Sequence, residues 1–128
     1  VIERAVEYRA WNKVYKEMIY GIENVGRKKI IGESACETFG EVLSSWEFIV
    51  MQYTGLKDKN GTKIFEGDVV AVEYPRKKYL VSYDEDRAGY YPFAQDDGCG
   101  CCSDELVSRP DYCEVIGNKF ENPELLNN

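Results

Sequence analysis

"MQYTGLKDKNGTKIFEGDVV", Met51 to Val70, is the stretch that decides the fold. Its first residues complete a compact apolar run, "EFIVMQY" (Glu47 to Tyr53), of the length and composition of a buried strand. "DKNG" (Asp58 to Gly61) is a turn signal, and Asn60-Gly61 is expected to supply the two residues that tolerate positive φ in a tight hairpin. In "EGDVV", Gly67 permits a sharp bend and Asp68 is placed to accept from nearby backbone amides. A strand is then expected from Val69 to Tyr74, as at the corresponding corner of SH3-like small barrels, with Pro75 ending it or placing it at an edge. Two readings compete for the polar residues. Thr54, Lys57 and Asp58, with Lys59 beside them, form a candidate rim for a small ligand or a partner. Alternatively, the block is only what its turns demand.

Working outward, the same alternation of short strands and turn signals continues. Val6, Tyr8 and Ala10 alternate with Glu7 and Arg9, the period of a strand with one buried face. Asn12-Lys13 turns the chain, and Tyr15 to Ile22 offers the second arm of a hairpin. "ESACETFGEVLSSW" holds a short helix with Glu33 or Ser34 near its start and Ala35, Thr38, Phe39 and Val42 on one face, or else strand and loop. "KYLVSYDE" reads as one strand and "GYYPFA" as another that Pro92 shortens. Gln95 to Arg109 is a long polar loop. "YCEVIGNKFENPEL" closes with a strand, and Asn122-Pro123 starts a helical turn through Leu126. The expected class is mainly β with short helices: an antiparallel, small SH3-like barrel or barrel-like sandwich preceded by an N-terminal hairpin. One domain over residues 1–128 is expected, with an N-terminal subregion at 1–46 and a β core at 47–128.

Composition narrows the chemistry. The chain has 128 residues, enough to bury a core without staples. Ten Tyr, five Phe and two Trp favour pleated, half-buried surfaces. With 23 acidic against 16 basic residues the net charge is −7, which on average repels nucleic acid. Two short basic runs, Arg27-Lys28-Lys29 and Arg76-Lys77-Lys78, depart from that average and read as solvated turns or strand edges. His is absent, so Ser–His and Cys–His nucleophile pairs are excluded. No apolar run is long enough to span a membrane. Five Cys without an export signal point to reduced thiols in a cytoplasm.

Three blocks carry a resemblance. "YRAWNKVYKEMIY" (Tyr8 to Tyr20) is similar to an opening F-R-A-W-D followed by M-x-Y. "MQYTGLKDKNGTKIFEGDVVAVE" (Met51 to Glu73) is the most specific block, and "EVIGNKFENPELL" (Glu114 to Leu126) matches a closing segment. Together they resemble the YopX family of bacteriophages and prophages. The resemblance implies a β-rich protein of the bacterial host's cytoplasm with no established reaction. It supplies no catalytic residues and no cofactor. The stretches from Glu23 to Trp46 and from Asp84 to Asp111 lie outside it. "CGCC" (Cys99 to Cys102) departs from the family pattern.

Cys99, Cys102 and Cys113, with Cys36 or Cys101, are a candidate thiolate zinc set. Against it stand the absence of a second C-x-x-C and the flanking Asp96, Asp97 and Asp104, which disfavour thiolates. Inert thiols are the simpler reading. Asp84-Glu85-Asp86 and Asp96-Asp97 read as solvated loop charges rather than an acid–base pair. Trp11, Tyr53, Tyr74, Tyr79, Tyr83, Tyr90 and Tyr91 are either core and interface aromatics or a base-stacking set. The expectation is therefore a non-enzymatic phage or prophage accessory protein. It would bind no metal or cofactor, act through protein contacts, and form a homo-oligomer. The alternative is a nucleic-acid transaction protein. That protein would either bind DNA through the patch at Arg76 to Tyr79 or mimic DNA with its acidic surface.

Overall fold

A computed structural model describes residues 6–24, 38–73, 76–94 and 109–126. The chain divides into two compact units, Val1–Tyr53 and Thr54–Asn128. The division falls inside a strand rather than after Trp46.

In the first unit, β1 (Tyr8–Asn12) pairs antiparallel with β2 (Glu17–Tyr20) and with the leading part of β3 (Phe48–Lys57). The hairpin turn is set by Asn12, whose Oδ1 accepts from the amides of Val14 and Tyr15 at 2.9 and 3.0 Å. The helix is α1 (Phe39–Ser44), within the stretch that offered a helix. Its N-cap is Thr38, whose Oγ1 accepts from the Glu41 amide at 3.1 Å and donates to the Glu41 carboxylate at 3.1 Å. That reciprocal cap satisfies donors that would otherwise be stranded and fixes where the helix begins. Ala35 and the earlier proposed start lie outside the described residues. Ala10, Ile22, Val42 and Phe48 form the core of this unit. The residues of the opening block are largely inside: Arg9, Ala10, Trp11 and Asn12 are all buried. Asn12 donates to the wholly buried Glu47 carboxylate at 3.0 Å, a partner such a charge requires.

In the second unit, the trailing part of β3 runs beside β4 (Lys63–Phe65). A three-stranded antiparallel sheet follows, in the order β6-β5-β9, from β5 (Asp68–Val72), β6 (Lys77–Leu80) and β9 (Cys113–Asn118). A separate hairpin joins β7 (Ser82–Asp84) to β8 (Gly89–Tyr91). The single strand expected over "KYLVSYDE" is broken at Val81, which donates to the Asp68 carbonyl and accepts from the Gly67 amide, both at 2.8 Å. Ile64, Val70, Tyr79, Val81 and Cys113 form this unit's core. The expected class is what the structure shows: mainly β, antiparallel, with only short helices. Among the described residues, no helix is long and apolar enough to cross a membrane.

Candidate functional site

Thr54, Lys57 and Asp58 do not form an open polar rim. Thr54 is 6% exposed; its hydroxyl donates to the Ile64 carbonyl at 2.7 Å and accepts from the Leu56 amide at 3.2 Å. Asp58 is 5% exposed. One carboxylate oxygen accepts from the amides of Asn60 and Thr62, both at 2.9 Å. The other accepts from Val115, on β9, at 2.9 Å. Asp58 thus closes the β3–β4 turn and ties it to the sheet. Only Lys57 stays exposed. The turn also differs from the expected two-residue type: Gly61 has φ of 80°, whereas Asn60 is not left-handed. The carboxylate cap replaces the second positive φ. Gly67, with φ of 87°, makes the bend before β5, and Asp68 accepts from the Phe65 amide at 2.8 Å.

Of the candidate zinc ligands, Cys99 and Cys102 lie outside the described residues, as do Cys36 and Cys101. Cys113 is a buried free thiol whose Sγ donates to the Pro110 carbonyl at 2.9 Å. Burial, and then the Asp58 carboxylate nearby, push its pKa up to about 11. It is therefore a poor thiolate at neutral pH. Among the described residues, no cluster of His, Cys, Asp and Glu could hold a metal ion. Asp84 is engaged by Arg87 at 2.7 Å, and that hydrogen bond holds its carboxyl below the ordinary range. Asp96-Asp97 and Tyr74 lie outside the described residues. Of the proposed stacking aromatics that the structure describes, three are buried, Tyr90 and Tyr91 are half-buried and Tyr83 is exposed. Trp11, Tyr53 and Tyr79 are buried, and Tyr83 packs edge-on against Tyr90 at 5.4 Å.

The feature that stands open is on the outward face of the β6-β5-β9 sheet. Strand register dictates it. Val70 lies opposite Tyr79 on one side and Val115 on the other, and that row faces the core. The next row, Lys78–Ala71–Glu114, must face outward, because successive residues alternate sides. Between Val115 and Gly117 the register shifts, and Ile116 is the extra residue of a bulge. Bulges re-aim side chains, and Ile116 is 37% exposed.

A groove of about 1040 Å³ runs over this face. Ile116, Leu125 and Leu126 give it apolar surface, Arg76 and Lys78 supply cations, and Val72 and Lys77, whose row faces the core, border it. Tyr112, 59% exposed, stands at the start of β9 beside it. The wall carrying Leu125 and Leu126 is the terminal 3-10 turn, Pro123–Leu126, which begins where Asn122-Pro123 indicated. Asn118 pins the chain before it, accepting from Phe120 and Glu121 amides at 3.0 and 2.8 Å. Gly117 lets the turn lie close: a Cβ there would come within 2.8 Å of Leu125 Cδ1. The turn after β3 contributes too. Lys59 lies 3.8 Å from Glu114, and Asn60 donates to the same carboxylate at 3.3 Å.

The groove was not found from sequence. In the sequence, Arg76-Lys77-Lys78 reads as a solvated turn or strand edge or as part of a DNA-binding patch, and "PELL" as a terminal turn. Their meeting depends on register and on the bulge at Ile116, which no local pattern announces.

A profile described as "YopX protein" matches residues 7–127. A crystal structure of protein EF1440 from Enterococcus faecalis is similar, with a TM-score of 0.60 at 25% sequence identity, covering 98% of this chain and 100% of that one. No curated protein matches the sequence. Since the profile takes in both hairpin strands, the central turn and the terminal turn that walls the groove, the chain belongs to the YopX family.

Proposed function

We propose that this protein is a non-enzymatic accessory protein of a phage or prophage, acting by protein contact through the groove over β5, β6 and β9. One observation carries the reading. Three of the exposed large apolar side chains, Tyr112, Ile116 and Leu126, line one groove together with Arg76 and Lys78, and Lys77 lies at its edge. Apolar surface rimmed by charge is the usual make-up of a protein-binding patch. Of the groove's two carboxylates, Glu73 and Glu114, the second is engaged by Lys59 and Asn60. That engagement supports binding rather than acid–base chemistry. The cytoplasm of the bacterial host is the proposed setting, and a buried free thiol at Cys113 fits it. Self-association belongs to the same reading, since Tyr15, Tyr20, Leu43 and Trp46 of the first unit expose further apolar surface.

Nucleic-acid binding through Arg76 to Tyr79 ranks lower, because Tyr79 is only 5% exposed and cannot stack on a base. The test is recovery from host lysate with the intact protein and with Ile116→Asp. The reading expects a protein retained by the first and lost from the second. Recovery of nucleic acid, or of nothing, overturns it. Light scattering checks self-association; a strict monomer at high concentration removes that part.

A further inference from the structure

The groove's chemistry defines its occupant more closely than "a protein", and the following rests on the protein-contact reading above. We infer that the groove receives an acidic polypeptide segment. Its carboxylates would meet Arg76 and Lys78, with Lys77 at the edge of the groove, and one of its apolar side chains would rest against Ile116 and Leu126.

Charge is the first argument. The chain carries −7 overall, yet among the described residues the groove sets four cations against two carboxylates. Lys59 and Glu114 neutralise one another. Among the described residues, Arg76 and Lys78 have no acidic partner, and Lys77 touches only the Tyr79 ring, at 5.3 Å. A local excess of unpaired cations on an acidic protein steers and orients an anionic partner, while the remaining surface repels the same partner elsewhere.

The apolar surface is the second argument, and it separates a peptide from a nucleic acid. Val72, Ile116, Leu125 and Leu126 are aliphatic and offer neither a stacking face nor a hydrogen bond to a base edge. Among the described residues, Tyr112 is the only aromatic ring that lines the groove. Glu73 and Glu114 would also oppose a phosphodiester backbone, which carries a charge at every step. A polypeptide can space its carboxylates to avoid them. An aliphatic side chain set between carboxylates matches the bulged Ile116 and the exposed Leu126, which stand on the same face as the Lys78 row.

Fluorescence anisotropy with the full chain tests this, using a labelled peptide of alternating Glu and Leu. Three further probes are the same peptide with Lys for Glu, the same with Ser for Leu, and a single-stranded oligonucleotide. The Glu-Leu peptide is expected to bind tightest, and added salt should weaken it. Lys77→Glu with Lys78→Glu should weaken it roughly tenfold or more, and Leu126→Ser by several-fold, each with an unchanged circular dichroism spectrum. The inference is overturned if the Lys-Leu peptide or the oligonucleotide binds as well. It is equally overturned if the double charge reversal leaves affinity intact. The two levels separate cleanly. A host protein lost from Ile116→Asp, with no binding of the Glu-Leu peptide, removes the acidic segment but keeps the groove. A host protein retained by Ile116→Asp removes the groove itself.

Discussion

The turn from Asp58 to Thr62 and the outward face of the β6-β5-β9 sheet are both polar, and they spend their polar atoms in opposite ways. In the turn, both Asp58 oxygens are taken by backbone amides, and the Thr54 hydroxyl beside it both donates and accepts. On the sheet face, Arg76 and Lys78 have no ion-pair partner among the described residues. A polar side chain whose every lone pair serves the backbone is scaffold, even when it sits in the most recognisable motif of the chain. A charge left unpaired next to exposed apolar surface is available to a partner. The comparison moves the search for function away from the signature block and onto the face that the block supports.

Substitutions in the turn should break the fold, and substitutions on the face should not. Asp58→Ala strands three backbone donors at once and should cost about 3 kcal/mol in denaturant melts. A loss under about 1 kcal/mol would show that the turn does not depend on its cap. Gly117→Ala tests the scaffold of the groove itself. The added Cβ meets Asn122 Oδ1 at 2.5 Å and Leu125 Cδ1 at 2.8 Å, so about 2 kcal/mol of destabilisation is expected, along with a displaced terminal turn. Thr54→Val keeps the shape but removes the hydroxyl. It should cost about 1 kcal/mol, because the Ile64 carbonyl and the Leu56 amide lose a partner.

The Cys113 thiol extends the contrast to pH. Its folded pKa of about 11 lies above the ordinary value of 9.0, so the unfolded chain releases this proton first. The stabilisation is whole below pH 9 and is lost as pH rises toward 11. Cys113→Ser should flatten that alkaline decline in chemical-denaturation curves. Asp58→Asn should make it smaller and end it at lower pH, by removing the carboxylate that helps hold the folded thiol neutral. The smallest expected effect on stability is that of Lys77→Glu with Lys78→Glu, both at exposed positions, whose melting temperature should stay near that of the parent protein.

Much of the scaffold was legible in the sequence because it is written locally. The Asp68 bond to the Phe65 amide and the terminal turn at Pro123 each follow from residues a few positions apart, whereas the one buried face expected for β1 does not hold, since Arg9 and Trp11 are buried with Ala10. The start of α1 at Phe39 is less legible, since it rests on Thr38 and Glu41 acting together rather than on apolar spacing. The break at Val81 arises from its bonds to Gly67 and Asp68 on a neighbouring segment, a tertiary cause. The polar rim failed as an expectation for the same kind of reason. Val115, distant in sequence, takes the second oxygen of Asp58. The groove needed the pairing of Ala71 with both Lys78 and Glu114 and a one-residue bulge at Ile116, neither of which a single strand's sequence records.

The most direct test of the central claim sets the two regions against each other in one titration. The labelled Glu-Leu peptide is measured against the parent protein, Asp58→Asn, and Lys77→Glu with Lys78→Glu, with thermal melts of all three. The expected result is a lower melting temperature with affinity retained for Asp58→Asn. For the double reversal it is an unchanged melt with affinity roughly tenfold weaker. The opposite pattern, with binding lost at Asp58 and retained without the two lysines, would return function to the turn and contradict the account.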